Sequence, residues 1–178
     1  MIDKDDHRTP KDLFRNLSDR FGGFDLDVAA NDKNYLCLRY FTKERSGLKR
    51  NWIGENVWCN PPYSNLKKWV EKAIKEIDKM SCKKIVMLIP VDTSAVVWGR
   101  YIYDRASEIY FINKRLKFEG DQECHEENYS SPRSSAIVVF NSCKTQGGAS
   151  RRFQYMTSKG IVLYPSQTLG DFTVSNRG

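Results

Sequence analysis

A chain of 178 residues with 40% hydrophobic and 29% charged residues is long enough to enclose one core, and neither disordered nor fibrous in composition. Lys and Arg number 29 against 22 Asp and Glu, a formal charge of +7, which suits an anionic partner, most often nucleic acid, and equally a merely soluble basic protein. No apolar run approaches the roughly 18 residues of a membrane span, and the opening "MIDKDDHRTP" has no apolar core of a secretory signal.

Residues 1–8 are charged and read as a flexible tail. Thr9-Pro10 then starts a helix, with Thr9 as N-cap, Pro10 in the first turn and Asp12 at the third position. Leu13, Phe14, Leu17 and Phe21 form its apolar stripe, and Gly22-Gly23 ends it. "FDLDVAA" (24–30) reads as a short strand entering a turn. "NYLCLRYFT" within 31–52 fits helix or strand. "VWCN" (57–60) is a strand stopped by Pro61 and Pro62, which cannot continue a ladder.

Ser64 is expected to cap an amphipathic helix with Leu66, Trp69, Val70, Ala73, Ile74 and Ile77 on its inner face, its lysines and glutamates lying on the outer face. "KKIVMLIP" (83–90) is a continuous apolar run, as in a strand buried on both sides. A helix opened by Thr93 or Ser94 runs to about Ala106. "EIYFI" (108–112), "SAIVVF" (135–140) and "GIVLY" (160–164) read as strands and "QGGAS" (146–150) as a loop. The tryptophans 52, 58, 69 and 98 read as core. Alternating strands and helices predict an α/β domain with a mostly parallel central sheet, and antiparallel strands near the C-terminus. Ligands of such sheets sit beyond the carboxyl ends of strands, where "LDVAA" and "NPPY" both fall.

Cysteines 37, 59, 82, 124 and 143 are odd in number with no C-x-x-C pair, and read as free thiols in a reducing cytosol. Cys124-His125 with Cys143 matches no common ligand spacing, so no metal is expected. The hydrolase, phosphate-binding and dinucleotide signatures G-x-S-x-G, H-E-x-x-H, G-x-x-x-x-G-K and G-x-G-x-x-G are absent.

The tetrapeptide Asn60-Pro61-Pro62-Tyr63 has a chemistry of its own. The exocyclic amine of a nucleobase is a poor nucleophile because its lone pair is delocalised into the ring. A site that alkylates it should accept its N–H bonds and leave the lone pair aimed at the electrophile. The Asn60 side chain supplies a carbonyl acceptor and Pro61 a backbone carbonyl. Tyr63 supplies a flat face for an extruded base, and the paired prolines stiffen the turn. Asn-Pro-Pro is also a good turn with no chemistry at all.

"VWCNPPYS" after an apolar strand resembles the catalytic motif of S-adenosylmethionine-dependent amino-methyltransferases. "TPKDLF", "FDLDVAA", "SGLKRNW", "VWCNPPYS", "IVMLIP", "INKRLKF" and "SSAIVVF" follow the order seen in the phage-type DNA N6-adenine methyltransferases, over roughly residues 8–142. The resemblance implies a Rossmann-like class I methyltransferase fold in one domain, 9–165, with tails at 1–8 and 166–178. It implies S-adenosylmethionine as cofactor, double-stranded DNA as partner and a bacterial host's cytoplasm as the location. Thr9 and Pro10 match residues that touch the methionine part of the cofactor, and Asp27 the acidic residue that binds its amino-acid end. Val28, Ala29 and Ala30 stand in for the glycine-rich turn. Asn60, Pro61, Pro62 and Tyr63 form the target pocket, and Arg115, Lys117 and Phe118 a basic-aromatic stretch near the substrate.

Two departures stand out. Ser46 precedes Gly47-Leu48 where the family often has an acidic residue. Asp27 and Asn60 lie only 33 residues apart, little more than a single βαβ unit of about 30, which predicts a trimmed sheet with Asp32 and Glu44 as candidates to hold the cofactor ribose. Residues 119–133 are the candidate DNA-facing loop. Cytosine N4, RNA, and a non-catalytic DNA-binding module that kept the fold remain as alternatives.

Overall fold

The computed structural model describes residues 8–117 and 133–142 in full, and the backbone of two further strands at 152–157 and 160–162. The chain alternates through its middle, as expected. Helix α1 (Lys11–Phe21) is followed by strands β1 (Leu26–Asp27), β2 (Arg39–Tyr40) and β3 (Gly54–Cys59). Helix α2 (Leu66–Asp78) and strand β4 (Cys82–Pro90) come next. A π-helical stretch at Trp98–Ile102 runs into the short helix α3 (Tyr103–Arg105), and strands β5 (Glu108–Ile112), β6 (Ser135–Asn141), β7 (Arg152–Thr157) and β8 (Gly160–Val162) complete the set.

The strands form one sheet in the order β2-β1-β3-β4-β6-β5-β7-β8. Strands β2, β1, β3 and β4 are mutually parallel. Strand β6 enters antiparallel between β4 and β5, β7 lies parallel to β5, and β8 closes the edge antiparallel to β7. Strand β7 escaped the sequence reading. Residues 1–7, 118–132, 143–151, 158–159 and 163–178 lie outside the described residues, and with them the N-terminal tail up to His7, the loop at 146–150, Phe118, Cys124, His125, Cys143, the end of the strand expected at 160–164, the C-terminal tail at 166–178 and nearly all of the candidate DNA-facing loop.

The core has two layers, one on each face of the sheet. Along β4, Ile85, Met87 and Ile89 face the layer under α2, and Val86 and Leu88 face the layer under α1. That is the both-sides burial a continuous apolar run requires. Helix α2 lays Trp69, Val70, Ala73, Ile74 and Ile77 on the first layer, and α1 lays Leu17 and Phe21 on the second. All four tryptophans are buried.

Four local expectations are corrected. Pro10, at φ −56° and ψ 130°, occupies the N-cap position of α1, and no side chain caps that helix. The Pro10 carbonyl accepts the first helix bond, from the Phe14 N–H at 3.0 Å, and the hydroxyl of Thr9 bonds elsewhere. Ser64 does not cap α2 either. Pro62 holds the chain extended, Tyr63–Asn65 make one 3-10 turn, and Asn65 becomes the N-cap without a side-chain bond. The helix expected from residue 93 or 94 begins later and contains the π-turn at Trp98, whose indole N–H reaches the Pro90 carbonyl at 3.1 Å. Glu76, expected on the outer face of α2, is fully buried. The C-terminus of α1 is as read: Gly22 takes φ +79°, a left-handed conformation that glycine adopts without strain.

The sheet is trimmed where the spacing predicted. Between β1 and β3 the chain makes only the two-residue β2 and a 3-10 turn at Gly47–Lys49.

Candidate functional site

The parallel pairing of β1 with β3 sets Asp27 beside Trp58, and the Val28 N–H bonds the Trp58 carbonyl at 3.1 Å. The chain segments leaving the two strands, 28–30 and 60–63, therefore open at the same edge of the sheet. Between them lies a cavity of about 400 Å³. Thr9, Asp27, Val28, Ala29, Ala30, Asn60 and Pro62 all line it. Of the residues singled out from the sequence, these seven come together although they belong to three separate stretches of chain.

Asp27 is the most perturbed group on the wall. It is 3% exposed. Its Oδ1 accepts from the Ala29 N–H at 3.2 Å and its Oδ2 from the Leu36 N–H at 3.3 Å. Burial pushes its carboxyl from 3.8 up to about 7, with the two backbone bonds pulling the other way. A carboxyl raised in this way on a cavity wall is the kind of group found at functional sites, although structural networks shift such groups as well.

Asn60 follows the last residue of β3, and its Nδ2 donates to Thr9 Oγ1 at 3.0 Å. Thr9 is 6% exposed. The hydroxyl expected to cap α1 bonds instead to a residue 51 positions away.

The remaining expected residues lie elsewhere. Pro10 and Pro61 are off the cavity wall. Tyr63 is half-buried against the α1-side layer, also off the wall. Burial pushes its hydroxyl up to about 12, partly offset by hydrogen bonding to Ser135. Arg115 and Lys117 are exposed and line no part of the cavity. Neither ribose candidate reaches it. Asp32 accepts from the Tyr40 hydroxyl at 2.9 Å and Glu44 from the Thr42 hydroxyl at 2.7 Å. Among the described residues no cluster of His, Cys, Asp and Glu could hold a metal, and Cys37, Cys59 and Cys82 are buried free thiols.

The structure adds wall residues that the sequence reading did not assign to a site, Asn31, Asn34, Thr42 and Trp69, and it brings to the same wall Ser46, Gly47 and Leu48, the stretch where the family pattern departs. Asn31 and Asn34 build a turn in which the Asn31 N–H donates to Asn34 Oδ1 at 2.7 Å and the Lys33 N–H to Asn31 Oδ1 at 2.8 Å. That turn chemistry, in "NDKN" directly after "VAA", was the one signal available. Gly47 crosses the end of β1 so closely that a Cβ there would lie 2.2 Å from the Val28 carbonyl oxygen and 3.2 Å from the Trp69 ring. The Trp52 indole N–H holds the Gly47 carbonyl at 2.8 Å, and the Trp52 backbone N–H donates to Glu76 Oε2 at 3.0 Å. The buried glutamate on α2 thus braces the loop that walls the cavity.

Comparison with known proteins gives this geometry a family. The profile of the DNA N-6-adenine-methyltransferase (Dam) family matches residues 1–162. A protein of Escherichia phage T1 named DNA N-6-adenine-methyltransferase is 38% identical over 110 residues, 61% of this chain and 44% of that protein, so the chain spans less than half of that relative's length. A protein of the same name from Haemophilus phage HP1 is 32% identical over 139 residues, 78% of this chain and 79% of that protein. With the profile covering most of the chain and the HP1 protein matched over more than two thirds of both lengths, the chain belongs to the DNA N-6-adenine-methyltransferase (Dam) family.

Proposed function

We propose that this protein is a DNA methyltransferase that moves a methyl group from S-adenosylmethionine to the N6 amine of adenine in double-stranded DNA, in a phage or prophage setting and in a bacterial cytoplasm. The observation that carries the reading is the convergence of Asp27 and Asn60 on one cavity at the carboxyl ends of adjacent parallel strands. Both phage relatives carry the corresponding name. The fold is read as class I methyltransferase with one strand removed. Its support is the run of parallel strands from β2 to β4 and the single antiparallel β6 between β4 and β5. The domain is taken as 9–165.

The cavity suits the cofactor. Its volume lies within the usual range of small-molecule sites, about 300–1,000 Å³. The buried Asp27 would take the ammonium of the methionine part, whose charge would hold the carboxyl ionised. Thr9 and the small residues Val28, Ala29 and Ala30 would let the rest of that part approach the backbone. The cofactor would supply an electrophilic methyl on a sulfonium, which the amine lone pair would take while the C–S electrons stay with sulfur and a proton leaves to water. Asn60 and Pro61 would accept the amine's N–H bonds. Tyr63 would stack on the extruded base, and Arg115, Lys117 and Phe118 would lie near the DNA, whose phosphates the basic surface attracts.

The test is transfer of labelled methyl from S-adenosylmethionine into unmethylated DNA, followed by digestion to nucleosides. Label on N6-methyl-2′-deoxyadenosine, abolished in Asn60→Ala with folding and DNA binding retained, supports the reading. Label on N4-methyl-2′-deoxycytidine would move the target. Near-normal turnover by Asn60→Ala would remove Asn60 from the chemistry.

A further inference from the structure

A hydroxyl is ambiguous as a recognition group, because it donates through its proton and accepts through two lone pairs. On the cavity wall one hydroxyl has lost that ambiguity. Thr42 is buried and lines the cavity just beyond the carboxyl end of β2. Its hydroxyl donates to Glu44 Oε2 at 2.7 Å and accepts from the Arg45 N–H at a longer 3.4 Å. A glutamate at neutral pH is ionised and can only accept, and the bond from Thr42 holds the Glu44 carboxyl below its ordinary range. The Thr42 proton is therefore committed to Glu44, and one lone pair to the Arg45 N–H. What Thr42 has left for a ligand is one lone pair, polarised by the carboxylate behind it. It suits a donor and opposes an acceptor.

Strand pairing places this acceptor relative to Asp27. Asp27 is in register with Tyr40, and the Phe41 N–H continues the ladder to the Asp27 carbonyl at 2.8 Å. Thr42 thus lies one strand over and two residues on, roughly 8 Å from Asp27 between α-carbons, given a strand spacing of about 4.8 Å and a rise of about 3.3 Å per residue. In S-adenosylmethionine eight covalent bonds separate the ammonium nitrogen from the ribose 3′ oxygen, a reach of about 10 Å at full stretch. The purine amine lies farther along the molecule. With the ammonium at Asp27, the ribose hydroxyls are the neutral donors that arrive at Thr42.

We infer that Thr42 binds the ribose of S-adenosylmethionine by accepting from a ribose hydroxyl, with Glu44 as the positioning residue that turns the Thr42 proton away from the cavity. The inference rests on the proposed use of the cavity by the cofactor. It gives the ribose a holder although neither Asp32 nor Glu44 is on the wall.

The test is calorimetric binding of S-adenosylhomocysteine, which cannot turn over, and of its 2′-deoxy and 3′-deoxy analogues. In the wild type at least one deoxy analogue should bind about tenfold more weakly than the parent, the worth of one hydrogen bond. Thr42→Val keeps the side chain's shape and removes the acceptor. It should weaken the parent by about the same factor and abolish the deoxy penalty, and Thr42→Ser should restore both. Glu44 is exposed, so Glu44→Gln tests the same chain of bonds without disturbing the core. Its amide can donate to Thr42 and release the Thr42 proton toward the cavity, and the deoxy penalty should shrink. Equal binding of all three ligands by the wild type would overturn the inference without any variant. So would a deoxy penalty that survives intact in Thr42→Val, which would put the ribose elsewhere on the wall. An unchanged penalty in Glu44→Gln would overturn the role of Glu44. If the wild type binds neither S-adenosylmethionine nor S-adenosylhomocysteine, the reading of the cavity as a cofactor site fails, and the inference with it.

Discussion

Removing the Glu76 carboxylate should cost far more than its distance from the cavity suggests. Its Oε1 lies 2.6 Å from Lys72 Nζ and 3.8 Å from Lys79 Nζ, and its Oε2 accepts the Trp52 N–H at 3.0 Å. Glu76→Ala leaves the buried Trp52 N–H without its acceptor, which costs about 1–3 kcal/mol. Lys72, whose side chain is 13% exposed, loses its counter-charge. Its long stem allows the ammonium to swing outward, so this contributes about 1 kcal/mol and not the 3–5 kcal/mol of a charge that cannot escape. The lost methylene packing adds about 1 kcal/mol. The change should therefore destabilise by about 4 kcal/mol, a fall in Tm of roughly 10 °C for a protein of this size.

Glu76→Gln keeps an acceptor for Trp52 and loses only the charge, so it should cost about 1–2 kcal/mol. Circular dichroism during urea and thermal unfolding measures both. A Glu76→Ala protein within about 1 kcal/mol of wild type would refute the bracing argument. So would a glutamine variant as damaged as the alanine one, because that would put the effect in the charge and not in the backbone acceptor. Burial opposes the Glu76 charge, but the bonds from Lys72 and from the Trp52 N–H hold the carboxyl below its ordinary range. Its contribution is accordingly present at neutral pH and is lost as the pH falls through that lowered value.

Asp27 should act with the opposite sign. Its folded carboxyl is raised from 3.8 to about 7, so its contribution to stability is complete below about pH 4 and is lost as the pH rises to about 7. Asp27→Asn should remove that slope and stabilise the free protein at pH 8 by about 2–4 kcal/mol, while calorimetry shows S-adenosylmethionine binding weakened at least about a hundredfold, the worth of a buried charge pair. A variant less stable than wild type at pH 8 would contradict this. Tyr63→Ala should slow transfer less than Asn60→Ala does, because stacking on a base is worth about 1–3 kcal/mol; equal losses in single-turnover assays would give Tyr63 a larger role than stacking.

The sequence by itself determined the parts whose signal is local. The apolar run of β4 and the inner stripe of α2 must be buried whatever surrounds them, because leaving either in water is too costly. Pro61-Pro62 must end β3 because proline cannot donate to a ladder. The short interval between Asp27 and Asn60 left room for only a trimmed sheet edge, and the structure has two-residue strands there. Strand β7 was missed because its residues, 152–157, lack a sustained apolar run, and its place was settled by pairing with β5.

Tertiary structure alone decided the cavity wall. Thr42, Gly47 and Leu48 become wall residues only when the loop between β2 and β3 folds over the end of β1, held there through Trp52 by a carboxylate on α2. On a helical wheel Glu76 falls one heptad from Trp69, at the margin of the apolar stripe, where its charge argues for solvent, and only its Lys72 and Trp52 partners make burial tolerable. The bond between Thr9 and Asn60 spans 51 residues. A hydrogen bond over that separation leaves no trace in local propensity, because it forms only after the sheet has set the strand ends side by side and α1 has docked across them.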